Sequence, residues 1–131
     1  MLYAFTRQEF TQLQLSTYER HMPLAKPLVY ICDAKADKNY DIVGLYNDTM
    51  DTGLQMSTDL MLFYFPKKYL VDEGLTITDQ DKLQIITPLG NTKTYKIRNI
   101  VKDAEFNIKN ASSVLEKDFL GLYIHAQELL L

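Results

Sequence analysis

The chain has 131 residues and a formal net charge of −3, with 47% hydrophobic and 24% charged residues. That length supports one domain whose core needs no metal or disulfide staple, and the composition excludes wholesale disorder and fibrous repeats. The acidic balance excludes a global positive field for drawing in nucleic acid, so only a local basic patch could serve such a partner.

In chain order, MLYAFTRQEF carries an Arg and a Glu and reads as no secretory signal. TRQE supplies a capping box, Thr6 with Glu9, which predicts a short helix near residues 6–12; LQLSTY then alternates like a strand. HMPLAKP, with two prolines, predicts an extended connection. LVYICDA and YDIVGLYND predict a hairpin with Asn39 at its turn. Cys32, the single cysteine, sits in this buried strand as a small hydrophobe, which fits a reducing compartment. The segment NDTMDTGLQMSTD, residues 47–59, has few core-forming residues and predicts an extended loop whose apolar members are Met50, Leu54 and Met56.

TDLMLFYFPKKYLVDEG is the most apolar stretch. Leu60, Leu62 and Tyr64 fall on one side of a strand and Met61, Phe63 and Phe65 on the other, which predicts that both faces are covered until Pro66 ends it. LTIT predicts a short strand, and Asp79 to Asp81 a polar turn. KLQIIT and TKTYKIRNIV predict a hairpin closed by PLGN, where Gly90 and Asn91 tolerate positive φ. Its core face carries Leu83, Ile85, Tyr95, Ile97 and, after Asn99, Val101; its exposed face is expected to gather Lys93, Lys96 and Arg98. SSVLEKDF offers a second capping box, Ser113 with Glu116, and LGLYIHAQEL a last strand. The sum is a mainly β (α+β) fold: a single β-rich domain over residues 1–131, a small barrel or sandwich of about seven strands with one or two short peripheral helices.

The catalytic inventory is thin. His21 and His125 are the only histidines, neither in a metal-ligand spacing, and one cysteine cannot complete a zinc site. The acidic run DAKADKNYD fails as a calcium loop, because Lys38 stands where glycine is needed and Gly44 where a bidentate Glu is needed. Asp72 with Glu73 and Asp79 with Asp81 lie in polar turns, the ordinary setting of solvated carboxylates. No glycine-rich phosphate loop exists, so no enzyme, cofactor or metal is expected. No apolar run reaches the ~18 residues of a membrane span, and no membrane partner is expected. TKTYKIRN loosely matches a binding strand of an OB barrel, yet Tyr95 alternates with the basic residues instead of sharing their face.

From Asp59 onward, the order of elements resembles the head–tail connector, or stopper, proteins of tailed bacteriophages. A strand leads to Asp81, Leu83 and Ile85, then a tight turn at Gly90, then Tyr95 and Ile97, then Ile100 and Val101. The resemblance covers roughly the C-terminal half and includes no catalytic residue. It implies a structural virion protein of the phage neck, made in the host cytoplasm. Such a subunit forms a cyclic ring with copies of itself below the portal, retains packaged double-stranded DNA without sequence recognition, and docks portal or adaptor and tail proteins. The loop with Met50, Leu54 and Met56 is then a candidate for reaching a neighbour or the ring axis, and the acidic turns of residues 33–41 and 72–81 are candidates for the lumen. The alternative expectation is a monomeric phage or mobile-element module that grips a host protein or single-stranded nucleic acid through Lys93, Lys96 and Arg98 on an OB-like barrel.

Overall fold

The structure, a computed structural model, describes residues 4–32, 38–46, 60–108 and 117–129. The expected mainly β architecture is present. The strands are β1 (Ala4–Phe5), β2 (Lys26–Cys32), β3 (Lys38–Tyr46), β4 (Leu60–Pro66), β5 (Lys82–Ile86), β6 (Thr92–Ile108) and β7 (Lys117–Glu128). The helices are α1 (Arg7–His21) and α2 (Lys67–Glu73), with a 3-10 turn at Met22–Leu24.

Six strands follow one another as β6-β5-β2-β3-β4-β7, and a further β6–β7 pairing closes them into a barrel with every contact antiparallel. β1 adds only a short parallel pairing at the far end of β6. Closure removes most exposed edge, and the inward positions fill the interior. Phe63, Phe65, Leu83, Ile85, Ile97 and Ile124 are each at most 1% exposed. Gly44 on β3 makes room for this packing, since a Cβ there would lie 2.5 Å from the Phe65 ring.

Several sequence expectations need correction. α1 runs fifteen residues without a break, and no strand forms at LQLSTY. The capping box is made: Thr6 Oγ1 accepts from Glu9 N–H at 3.1 Å, and Glu9 Oε1 accepts from Thr6 N–H at 3.3 Å. HMPLAKP is not wholly extended, because Met22–Leu24 form the 3-10 turn. Asn39 lies inside β3 opposite Ile31, not at a turn. KKYLVDE forms α2 between Pro66 and Gly74, whose φ of +64° ends the helix in the left-handed region. That helix was not anticipated, and it takes Asp72 and Glu73 out of any turn. LTIT pairs with no strand among the described residues; Ile77 is buried and Thr76 C=O accepts from the Tyr30 hydroxyl instead. At PLGN, Gly90 takes a φ of +87°, whereas Asn91 does not adopt positive φ.

β6 and β7 are long, not short. The ladder between them slips by one residue between Ile97 and Asn99. This bulge at Arg98 reverses the facing of everything after it. Ile100 therefore packs against the core, and Val101, expected inside, is 42% exposed. The capping box at Ser113 and Glu116 and the loop of residues 47–59 lie outside the described residues. No helix among the described residues is long and apolar enough to cross a membrane.

Candidate interaction surfaces

The expected basic face is only partly assembled. Lys93 shares the register parity of Tyr95 and Ile97, whereas Lys96 and Arg98 point outward; a spacing of three residues cannot place Lys93 and Lys96 on one face of a strand. Lys96 Nζ donates to Gln80 C=O at 2.8 Å, and Arg98 Nε donates to Gln127 Oε1 at 3.0 Å. Both cations thus serve the joins of β6 to its neighbours. Met50, Leu54 and Met56 lie outside the described residues.

The histidines stay apart. His21 ends α1, its Nδ1 lying 2.8 Å from Thr17 C=O and its ring 5.0 Å from that of Tyr64. His125 is exposed on the outer side of β7. Cys32 packs half-buried against the core. Among the described residues, no group of His, Cys, Asp and Glu could hold a metal ion.

Across β4, β7 and β6 the outward side chains form a strip in which exposed apolar groups are interleaved with polar ones, His125, Asn99 and Gln127 among them. Register places Tyr64 beside Tyr123 and Tyr123 beside Val101, then Leu62 beside His125 and His125 beside Asn99. α1 covers one end of this wall, where Gln14 Nε2 donates to Asp118 Oδ1 at 3.2 Å and to Phe119 C=O at 3.1 Å. Tyr64 is buried there and donates to Asp103 Oδ2 at 2.8 Å. Burial, and next the Asp103 carboxylate, push the Tyr64 hydroxyl well above the usual tyrosine range. Beyond the helix, no element among the described residues covers the strip. Leu60 is 51% exposed and Leu62 47%, so one face of β4 is not covered as expected.

The opposite wall is built differently. β2 stands three strands from β7 in the ring of six, and beside it the β5–β6 turn presents Leu89 at 78% exposure, with Ile86 also exposed. Between β2 and β5 opens a cleft of about 520 Å³, lined by Leu28, Ile42 and Ile85 at its floor and by Lys26 and Asp41 among its polar members.

Asp81, expected in a solvated turn, is 1% exposed. Its Oδ2 accepts from the Tyr30 hydroxyl and from Thr78 N–H and Oγ1 at 3.0 and 2.9 Å. Burial first, and then Asp81, push the Tyr30 hydroxyl far above its usual range. This carboxylate pins the irregular segment after α2 to β2, which removes it from any acidic lumen. The sequence signal for it was Thr78 three residues ahead of Asp81, a local side-chain to backbone pattern. Comparison of the chain with protein-family models, with curated proteins and with solved structures gives no match.

Proposed function

We propose that this chain is a structural subunit of the head–tail connector of a tailed phage. In this reading it assembles without enzymatic activity into a ring below the portal, lets packaged DNA pass through the lumen, and docks the tail. One observation carries the reading. Two dissimilar surfaces with exposed apolar residues, the strip of Leu60, Leu62, Val101 and Tyr123 on β4, β7 and β6 and the Leu89 turn between β5 and β6, are carried by one barrel. A cyclic ring needs such a heterologous pair, because each copy offers one surface forward and the other backward. Exposed apolar area of this kind marks contact sites in soluble proteins. The reading as a monomeric nucleic-acid module has less behind it, since Lys96 and Arg98 are engaged within the barrel and Lys93 does not join their face.

Sedimentation velocity and negative-stain images of the purified chain test the proposal. A closed ring is expected at high concentration, and Leu62→Glu or Leu89→Glu should each leave a folded monomer by circular dichroism. A wild-type chain that stays monomeric at its solubility limit, or rings indifferent to both substitutions, would overturn it.

A further inference from the structure

β2 and β5 pair only from Val29 opposite Gln84 to Ile31 opposite Lys82. Continued by two residues, the same register would bring Pro27 opposite Ile86. The alternation of an antiparallel ladder fixes which groups face the gap. Asp81 C=O accepts from Ile97 N–H and Thr87 N–H donates to Asn91 C=O, so the odd-numbered residues of this stretch turn their main chain toward β6. Gln84 and Ile86 therefore turn theirs toward β2. Pro27 has no N–H to give to Ile86 C=O. Its own carbonyl accepts from the Tyr46 hydroxyl at 2.9 Å, and pairing with Ile86 is absent from the ladder. The ladder stops there, and the strands part over Leu28, Ile42 and Ile85.

We propose that this cleft binds an extended, uncharged apolar segment of a foreign polypeptide, which lies along β5 and exchanges main-chain hydrogen bonds with Ile86. The inference does not rest on ring assembly. The main-chain edge selects a peptide over a small apolar molecule. The Ile86 N–H and C=O form a donor and acceptor pair on one strand edge, and among the described residues no strand meets them on that side. A strand laid against such an edge satisfies both groups and alternates its side chains between the sheet's two faces. The floor is apolar, and about 520 Å³, within the roughly 300–1,000 Å³ of ligand pockets in general, leaves room for the side chains of such a segment. Lys26 and Asp41 place one charge of each sign among the lining residues, so neither a strongly acidic nor a strongly basic segment is favoured.

The test selects binders from a library of random linear peptides and measures the enriched peptide by fluorescence anisotropy against wild type and three variants. Ile86→Pro removes the cleft-facing donor while sparing the ladder to β6 and should weaken binding about tenfold. Ile86→Ala keeps the main chain and should stay within about threefold, because that side chain is 68% exposed. Pro27→Val restores the missing N–H, lets β2 and β5 pair, and should weaken binding about tenfold in a protein no less stable than wild type. A peptide N-methylated at its central residue probes the same bonds without touching the protein. Failure to enrich any apolar peptide, or equal binding by wild type, Ile86→Pro and Pro27→Val, overturns the proposal. Self-association lost in Ile86→Pro would assign the cleft to a second copy, and displacement of the peptide by a small apolar dye that ignores these variants would assign it to a small ligand; either result overturns it too.

Discussion

Replacing Asp81 by Asn should destabilise the protein by about 1–2 kcal/mol, because it exchanges charge-assisted hydrogen bonds for neutral ones while keeping the size of the side chain. Three donors converge on Asp81 Oδ2: the Tyr30 hydroxyl, Thr78 N–H and Thr78 Oγ1. Thr78 is exposed, so water can replace part of what its two donors lose, and the deficit concentrates on the Tyr30 bond. Asp81→Ala should cost more, about 3 kcal/mol, since it strips the acceptor and leaves a small cavity. The cost stops short of a fully orphaned hydroxyl, because Tyr30 can still donate to Thr76 C=O at 3.0 Å. Urea unfolding of wild type, Asp81→Asn, Tyr30→Phe and the double variant measures this directly, with an expected coupling of about 1 kcal/mol between the two sites. An Asp81→Asn protein within about 0.5 kcal/mol of wild type, or strict additivity in the double variant, would refute the view that this carboxylate locks the segment after α2 onto β2.

Three further outcomes follow from the packing. Burial is the first cause holding Tyr30, Tyr64 and Tyr69 above the usual tyrosine range; below about pH 10 they are neutral in both states, and above it the unfolded chain releases protons the folded chain keeps. Stability should therefore fall as pH rises past about 10, by roughly 1.4 kcal/mol per pH unit for each of Tyr30 and Tyr64 with Tyr69 adding in the same direction, and Tyr30→Phe should flatten the slope in denaturant titrations by one such step. Gly121→Ala should cost about 1–3 kcal/mol by overpacking, since the added Cβ would strike the Tyr64 ring and approach the Phe65 carbonyl at 2.8 Å; a thermal midpoint equal to wild type would contradict that close approach. Ala104 holds a φ of +52° within β6, so Ala104→Gly should leave stability unchanged or raise it by up to about 1 kcal/mol, the relief of the left-handed strain offset by glycine's greater chain entropy.

What the sequence made legible follows a physical division. Features decided by one strand or one turn could be read: the alternation of Leu122, Ile124 and Ala126 in β7, the Thr6–Glu9 cap, and Gly90 at the hairpin turn. α1 was cut short because only Phe10 and Thr17 along it are fully buried, which leaves its helical periodicity too faint to outweigh the alternation of Leu13, Leu15 and Thr17. α2 carried both its punctuation marks, Pro66 before and Gly74 after, yet seven residues are too few to display a period. LTIT alternates as a strand does, but its burial is satisfied by Ile77 and the Tyr30 to Thr76 bond without a ladder. The basic trio failed at a simpler level: residues three apart in a strand face opposite ways, and the bulge at Arg98 then turned Val101 outward. Pro27 shows where reading a chain one segment at a time must stop. As a residue it was plain, but its consequence falls on Ile86, which becomes its neighbour only through the register of β2 against β5. A missing N–H disables the partner's carbonyl, so the cost of a proline in a sheet is borne by whichever strand the fold places beside it. Here that strand keeps a donor and an acceptor turned toward an apolar opening, and a second polypeptide backbone matches both.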